Sequence, residues 1–382
     1  MGGQPQKLIF LVTELGYFCS HRLTLALAAK EAGFKVAVVT NCHQRPHLDR
    51  YEAHLKNFDL HHLPFHRSRL NPFAEVKTLW QLWKVYREIR PDIVHQVALK
   101  PVLYGTFCAW LVGIPRIVNA LGGMGYLFTH RSVKSTVIRP LMALAFKILL
   151  NHPRCALILQ NPDDVDLMAP FVGRDNIRLI RGSGVDLEKF YPLEELSSPP
   201  VRVVMVSRLL WSKGIGELVE AARLLKKEGI PLEIQVVGEP DPQNPATVPP
   251  ETLAAWKKEN VLTWLGARTD VATLYRQAHI AVLPSYREGL PKSLLEAAAC
   301  GKPIVTTDVP GCREVVASGE NGLLIPPRNA VALAKALKTL AEYPELRIRM
   351  GKLSRRKAEQ EFDEKKIIAQ TLSIYIHGFE DA

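Results

Sequence analysis

Short β-branched or apolar runs alternate with helix-length amphipathic stretches along this chain, and the alternation runs through twice. The first round of strands is Leu8–Val12, Val36–Thr40, Ile93–His95, Arg116–Asn119, Ala156–Leu159 and Ile177–Ile180, with helices at Arg22–Ala32, Ala74–Ile89, Pro101–Val112 and Lys134–Leu150. The second round starts at Val201–Val206 and continues through Ile234–Val237, Val261–Leu265, Ile280–Leu283, Ile304–Thr306 and Leu323–Ile325. Its helices are Gly216–Glu228, Val271–Ala278, Leu290–Cys300 and Ala330–Tyr343. A helix between two strands carries the chain back to its starting edge, so the strands run parallel and helices cover both faces. The expected fold class is therefore α/β, two doubly wound Rossmann-like domains facing a cleft. A length of 382 residues suits two domains of ~150–200 each. Gly and then Pro cluster between Arg181 and Pro200, where the period is lost. This places the domains at 1–190 and 191–365, with 366–382 as a closing helix that crosses back to the first.

The charge is as uneven as the fold pattern is regular. The chain carries a formal net charge of +11. Residues 1–190 hold 24 Lys and Arg against 14 Asp and Glu, a net +10; the remaining residues hold 25 against 24, a net +1. Between Asp92 and Asp163 there is no acidic residue, while Lys100, Arg116, Arg131, Lys134, Arg139, Lys147 and Arg154 fall inside. A one-sided basic field either is a solvated face or attracts a polyanion: nucleic acid, an anionic bilayer or a phosphorylated substrate.

No apolar run reaches the ~20 residues of a membrane span, and Leu8–Val12 is strand-sized rather than a signal core. The six cysteines are scattered without a C-x-x-C pair, which suits free thiols in a reducing compartment.

In open parallel sheets, ligands sit beyond the carboxyl ends of the strands, and three post-strand segments carry chemistry. After Val201–Val206 come Ser207-Arg208 and then Trp211-Ser-Lys213-Gly214 opening a helix. Two cations and a helix N-terminus form a plausible diphosphate clamp. After Ile280–Leu283 comes Pro284-Ser-Tyr-Arg-Glu288-Gly289-Leu290-Pro291-Lys292-Ser-Leu-Leu-Glu296. If helical, Glu288 and Glu296 stand ~12 Å apart along the axis, too far for a glycosidase pair but suited to separate hydroxyl contacts on either side of a pyrophosphate. Glu296 alone reads as a solvated helix carboxylate, but its apolar neighbours Ala297–Cys300 point to partial burial, and a buried carboxylate requires a partner. The third segment, Leu265-Gly-Ala-Arg268, could read a base with backbone groups.

Other signals are weaker. Asp164-Val-Asp166 has the D-x-D form of a metal site, yet it follows Asn161-Pro162, an N-cap with Pro at the first helical position. His61-His62 with His66 lacks a Cys or carboxylate partner and suits a solvated loop. No G-x-S-x-G elbow supports Ser/His/Asp catalysis, and no G-x-G-x-x-G follows Leu8–Val12 as a dehydrogenase would need. A nucleic-acid binder predicts aromatics interleaved with exposed cations; here Phe107, Trp110 and Phe146 lie in apolar helical runs.

Together these residues resemble glycosyltransferase family 4, of the two-domain GT-B fold. Glu288 through Glu296 matches the family's E-x7-E signature, as do Ser207-Arg208 with Lys213-Gly214 and Gly182-Ser-Gly-Val-Asp186. Ser20-His21-Arg22, Asp92-Ile-Val-His95, Lys100-Pro101 and Gly122-Gly-Met-Gly-Tyr126 look most like bacterial transferases building lipid-linked or surface polysaccharide. The resemblance implies a retaining, metal-independent transferase without a cofactor, which moves a hexose or N-acetylhexosamine from a UDP-sugar to a polyprenyl-pyrophosphate-linked sugar. It implies that Arg208 and Lys213 neutralise the diphosphate, Glu288 meets donor-sugar hydroxyls and Glu296 the ribose. The amides after Gly289, through Leu290, Pro291 and Lys292, would hold the β-phosphate, with Gly16 closing from the other domain and Arg268 near the base. Many members carry a second histidine two residues after the one at His95; here that position is Val97. His95 is either an acceptor contact or a buried structural histidine, beside the acceptor candidates Lys100, Arg131 and Lys134. An acid-free basic domain suits a lipid-borne anion, hence a cytoplasmic enzyme held peripherally on the inner face of the cytoplasmic membrane, with no nucleic-acid partner. The remaining alternatives are a soluble or lipopolysaccharide-core acceptor, a nucleotide-sugar epimerase, and a non-catalytic sugar-nucleotide binder.

Overall fold

The structure, a computed structural model, describes residues 4–42, 48–65, 71–123, 133–193 and 200–379. The chain divides into two compact units, Met1–Ser183 with Ile367–Ala382, and Gly184–Lys366. Residues 184–190 thus belong to the second unit, not to the first as expected. Val185 exchanges backbone hydrogen bonds with Phe362 and Glu364, and Arg355 Nη1 donates to Phe190 O at 2.8 Å. Val185 and Phe190 are buried in that unit's core.

The first unit runs β1 (Lys7–Glu14), α1 (Leu15–His21), α2 (Leu23–Glu31), β2 (Lys35–Asn41), α3 (Glu52–Leu55), β3 (Asp59–His62) and α4 (Pro72–Ile89). It continues with β4 (Ile93–Val97), α5 (Leu99–Val112), β5 (Arg116–Ala120), α6 (Val133–Leu149), β6 (Cys155–Leu159), α7 (Pro162–Met168) and β7 (Ile177–Leu179). All seven strands are parallel, in the order β3-β2-β1-β4-β5-β6-β7. The central strands are covered on both faces, so Leu8 to Val12 are all buried and read as one unbroken apolar run. One face packs against α1 and α2; the other packs against α4 and α5 through Leu82, Tyr86, Cys108 and Ala109.

Two local readings change. His61 and His62 lie in the edge strand β3 rather than a loop, because Leu60, His61 and His62 pair with Val38, Val39 and Thr40 of β2. His61 Nε2 sits 3.1 Å from Asp59, and His62 Nδ1 accepts from Cys42 N at 3.1 Å. The expected helix at Arg22–Ala32 is preceded by a separate turn of helix, α1, that starts directly at the end of β1. The Asp164 reading holds: Asn161 Oδ1 accepts from Asp164 N at 2.8 Å as the N-cap of α7, and Pro162 follows it. Among the described residues no group of three or more His, Cys, Asp or Glu could hold a metal ion, and no disulfide joins the cysteines.

The second unit runs β8 (Val201–Val206), α8 (Ile215–Lys227), β9 (Leu232–Val237), α9 (Pro250–Glu259), β10 (Thr263–Trp264), α10 (Val271–Gln277) and β11 (Ile280–Leu283). Then follow α11 (Lys292–Ala299), β12 (Ile304–Thr307), α12 (Cys312–Val315), β13 (Gly322–Ile325), α13 (Ala330–Glu342) and α14 (Pro344–Glu361). Its six parallel strands take the order β10-β9-β8-β11-β12-β13. A last helix, α15 (Glu364–His377), belongs from Ile367 onward to the first unit, where Ile367, Ile374 and Tyr375 are buried. In each sheet the winding reverses once, between β1 and β4 and between β8 and β11. Such reversal points leave a crevice at the strands' carboxyl ends.

Candidate active site

At the reversal point of the second unit, the segment after β8 meets the segment after β11. Trp211–Lys213 forms a single 3-10 turn, and Gly214 follows at φ +73° as the N-cap of α8. Only glycine fits there: a Cβ on Gly214 would lie 2.0 Å from Pro284 O. Ser212 O accepts from Tyr286 N at 2.9 Å and from Ser285 Oγ at 3.2 Å, which sews the two segments together. Lys213 Nζ consequently reaches Glu288 Oε1 at 2.5 Å, with the side chains 18% and 12% exposed. The Glu288 loop is braced from its other side by Pro310 O, which accepts from Glu288 N at 3.3 Å. Gly311, at φ +79°, completes that brace; a Cβ there would stand 2.4 Å from Gly289 O.

Helix α11 begins at Lys292, two residues later than expected, with Pro291 as its extended N-cap. Leu294 N and Leu295 N bond back to Pro291 O. Glu288 therefore sits in the loop, and the helical ~12 Å spacing to Glu296 does not apply. Leu290 is buried beneath the loop, and Gly289, Pro291 and Lys292 form the approach to the helix N-terminus. One turn further on, Glu296 is half-buried, and burial pushes its carboxyl up to about 7 against the pull of Lys292 and Lys189. Among the described residues none hydrogen-bonds its carboxylate, so a polar ligand group could supply the partner a buried carboxylate requires. Cys312, adjacent in the fold, is a buried thiol pushed up to about 12 and stays protonated.

The other expected residues are placed differently. Arg208 is half-exposed, and its Nη1 lies 2.6 Å from Asp241 Oδ2 in the segment after β9. Arg268 makes a two-pronged contact with Asp270 at 2.9 and 2.7 Å on the surface after β10. In the first unit, Gly16 lies in the first turn of α1 rather than in a loop, and a Cβ there would meet nothing within 4 Å. Lys100 is bound to Glu75 at 2.7 Å, the carboxylate that also accepts from Tyr104 at 2.8 Å; it is a paired, partly buried cation. His95 is 1% exposed in the middle of β4, stacked on Phe10 and sharing a 2.5 Å hydrogen bond with Tyr375 through Nδ1. Of its two readings, the structure supports the buried structural histidine: strands on both sides and α15 above shut it from any acceptor. Desolvation, helped by Arg22, holds it neutral, well below the usual imidazole range. Arg131 lies outside the described residues; Lys134 is in α6, but its side chain is outside them too. Asp241 and Gly311 carried no sequence signal as site residues, although Pro310-Gly311 after a strand is a turn pattern that could have drawn attention to Gly311.

Two doubly wound units, with paired charges at a helix N-terminus on the second unit's reversal point, define a GT-B architecture. Its residues 193–357 match the family model "Glycosyl transferases group 1", and residues 7–161 match "Glycosyl transferase 4-like". The chain is 30% identical over 86% of its length to the N,N'-diacetylbacillosaminyl-diphospho-undecaprenol alpha-1,3-N-acetylgalactosaminyltransferase of Campylobacter jejuni, covering 88% of that protein. It is 28% identical to the UDP-Gal:alpha-D-GlcNAc-diphosphoundecaprenol alpha-1,3-galactosyltransferase of Escherichia coli, over 79% of each chain. Among solved structures, the Anabaena protein Alr3699/HepE in complex with UDP and glucose superposes with a TM-score of 0.75 at 18% identity, over 97% of this chain and 99% of that one. The chain belongs to glycosyltransferase family 4 and is a glycosyltransferase of the kind that builds lipid-linked and surface glycans.

Proposed function

We propose that this glycosyltransferase moves a hexose or N-acetylhexosamine from a UDP-sugar to a sugar carried on a polyprenyl diphosphate. The transfer retains the anomeric configuration and uses neither a metal ion nor a cofactor. The Lys213–Glu288 pair at the head of α11 carries this reading, because it sets a cation, a carboxylate and a helix N-terminus around one point. The names of the two relatives, each specifying a diphospho-undecaprenol substrate, support the acceptor class, and the UDP in the Anabaena structure supports the donor nucleotide.

In the transfer, the bond between the anomeric carbon and the β-phosphate oxygen breaks, and its electron pair leaves with the diphosphate. The acceptor hydroxyl oxygen bonds to that carbon and its proton passes to the released diphosphate. Lys213 and Arg208 offset the charge that develops, and the dipole of α11 adds to them. These fixed positive groups do what a divalent cation does in other transferases. Glu288 Oε1 holds Lys213, leaving Oε2 to a donor-sugar hydroxyl. Glu296 takes the ribose hydroxyls. Arg268 borders the base. Diphosphate competes with Asp241 for Arg208, so donor binding exchanges one ion pair for another. Among the described residues no helix is long and apolar enough to cross a membrane. The net +10 of residues 1–190 favours peripheral attachment to the inner face of the cytoplasmic membrane.

The test is transfer of radiolabel from a panel of UDP-sugars to a polyprenyl-diphosphate-linked sugar in the presence of EDTA, with the product anomer read by NMR. Labelled lipid with the donor's configuration is expected. Release of UDP without a glycosylated lipid, or full loss of activity in EDTA, overturns the reading.

A further inference from the structure

Ten large apolar side chains of the first unit are exposed among the described residues, and eight of them lie on three helices that cover the same region of the sheet. On α4, Phe73, Val76 and Trp80 stand 87%, 65% and 52% exposed at i, i+3 and i+7. That spacing puts them on one stripe, and Thr78, Leu82 and Tyr86 bury the opposite stripe against the sheet. On α6, Leu141, Leu144 and Ile148 repeat the i, i+3, i+7 pattern, while Phe146 and Leu150 point inward. Between the two, α5 exposes Phe107 and Leu111 one turn apart and buries Val102, Cys108 and Ala109. Helix α5 packs against both α4 and α6, so the three helices lie side by side.

Isolated exposed apolar residues are ordinary, but eight large ones on three neighbouring helices mark an interaction surface. Its charges identify the partner. Exposed Lys77, Lys84, Arg87 and Lys147 share these helices. Glu88 is their one exposed acid, since Glu75 is taken up by Lys100 and Tyr104. Lys84 Nζ lies 3.7 Å from the Trp80 ring centroid, and Arg87 lies 5.1 Å from that of Trp83. Aromatic rings with cations folded over them suit the boundary between acyl chains and anionic headgroups, where the ring enters the apolar layer and the ammonium reaches phosphate.

We propose that the outward faces of α4, α5 and α6 form one docking surface for an anionic lipid bilayer. The proposal rests on the reading of a lipid-borne acceptor for its role, but its evidence is this face alone. Docking here brings the first unit to where a lipid-linked sugar is displayed.

The experiment is co-sedimentation of the full chain with vesicles of phosphatidylcholine alone or with phosphatidylglycerol, without donor or acceptor, so that it reads docking whether or not transfer occurs. Wild type is expected to partition at least tenfold better onto the phosphatidylglycerol vesicles. The variant K84A/R87A/K147A should lose that preference. F73S/W80S/L144S should lose binding to both vesicle types, and V331S, at an exposed apolar site on the second unit, should bind as wild type. If the apolar variant does not fold by circular dichroism, the cation variant and the single variant W80S decide the matter. Equal binding to both vesicle types by wild type, or wild-type binding by K84A/R87A/K147A, overturns the proposal. So does a concentration-dependent dimer, read by sedimentation velocity, that F73S/W80S/L144S abolishes while vesicle binding is unchanged.

Discussion

Lys213 Nζ and Glu288 Oε1 lie 2.5 Å apart although 75 residues separate them in the chain, and both side chains are less than a fifth exposed. The contact exists because glycine at 214 lets the turn after β8 lie against Pro284 in the segment after β11. It joins the cation proposed to neutralise the diphosphate to the carboxylate proposed to meet the donor sugar, which makes it the first place to test.

Lys213→Ala should lower kcat by ~10²–10³, the usual cost of losing one fixed group at a developing charge. It should also destabilise the fold by ~1–3 kcal/mol, because Glu288 is left without its ion-pair partner. The double variant Lys213→Ala with Glu288→Ala should be no less stable than Lys213→Ala alone. Urea unfolding and steady-state kinetics on the same preparations check both statements.

Gly311→Ala and Gly16→Ala should have opposite signatures. A Cβ at 311 collides with Gly289 O at positive φ, so folding stability and activity should fall together. A Cβ at 16 meets nothing and sits in a helix, where alanine is preferred to glycine by ~0.5–1 kcal/mol. Gly16→Ala should therefore keep or raise Tm, read in thermal melts beside Gly311→Ala.

Glu296 gives a pH dependence with a definite sign. Its folded pKa, about 7, lies above the ordinary 4.5, so between these values the native state binds more protons than the unfolded one. Its contribution to stability is most favourable below pH ~4.5 and declines as pH rises toward 7. Glu296→Gln should flatten that decline in thermal melts from pH 4.5 to 8. In wild type, UDP binding should tighten as pH rises through 7 and Glu296 becomes a full acceptor for ribose hydroxyls; calorimetry measures this, and Glu296→Gln should lose it.

The first unit should respond to pH in the opposite direction. His95 is held neutral by burial, so below pH ~6.5 the unfolded chain takes up a proton that the native state refuses, and stability falls with pH. Tyr375→Phe removes the partner of His95 Nδ1 and should cost ~1–3 kcal/mol. Because the pair is structural, the acceptor KM should stay within about twofold of wild type; a large KM change would restore His95 as an acceptor contact.

Much of the fold was legible locally because parallel strands buried on both faces must be continuously apolar, as Leu8–Val12 and Val201–Val206 are. What escaped was structure that no local pattern specifies. Asp59–His62 is polar and becomes a strand only because β2 offers it an edge. Helix α11 starts at Lys292 and not Leu290 because the chain bends at Gly289 and Leu290, in a loop tied to Pro310 and packed on Gly311, and Pro291 is an extended N-cap.

By itself, then, the sequence determined the class of the fold, the two rounds of winding, the uneven charge and the short list of charged residues that follow strands. Those follow from periodicity and residue type, which act over a few residues. Only the tertiary structure decided which of those residues meet. It joined Lys213 to Glu288, turned Arg208 to Asp241 and Arg268 to Asp270, and closed His95 into the core beneath Tyr375. Partnership between residues dozens or hundreds of positions apart depends on strand order and on where glycine lets two backbones touch, and neither is written in any local stretch of chain.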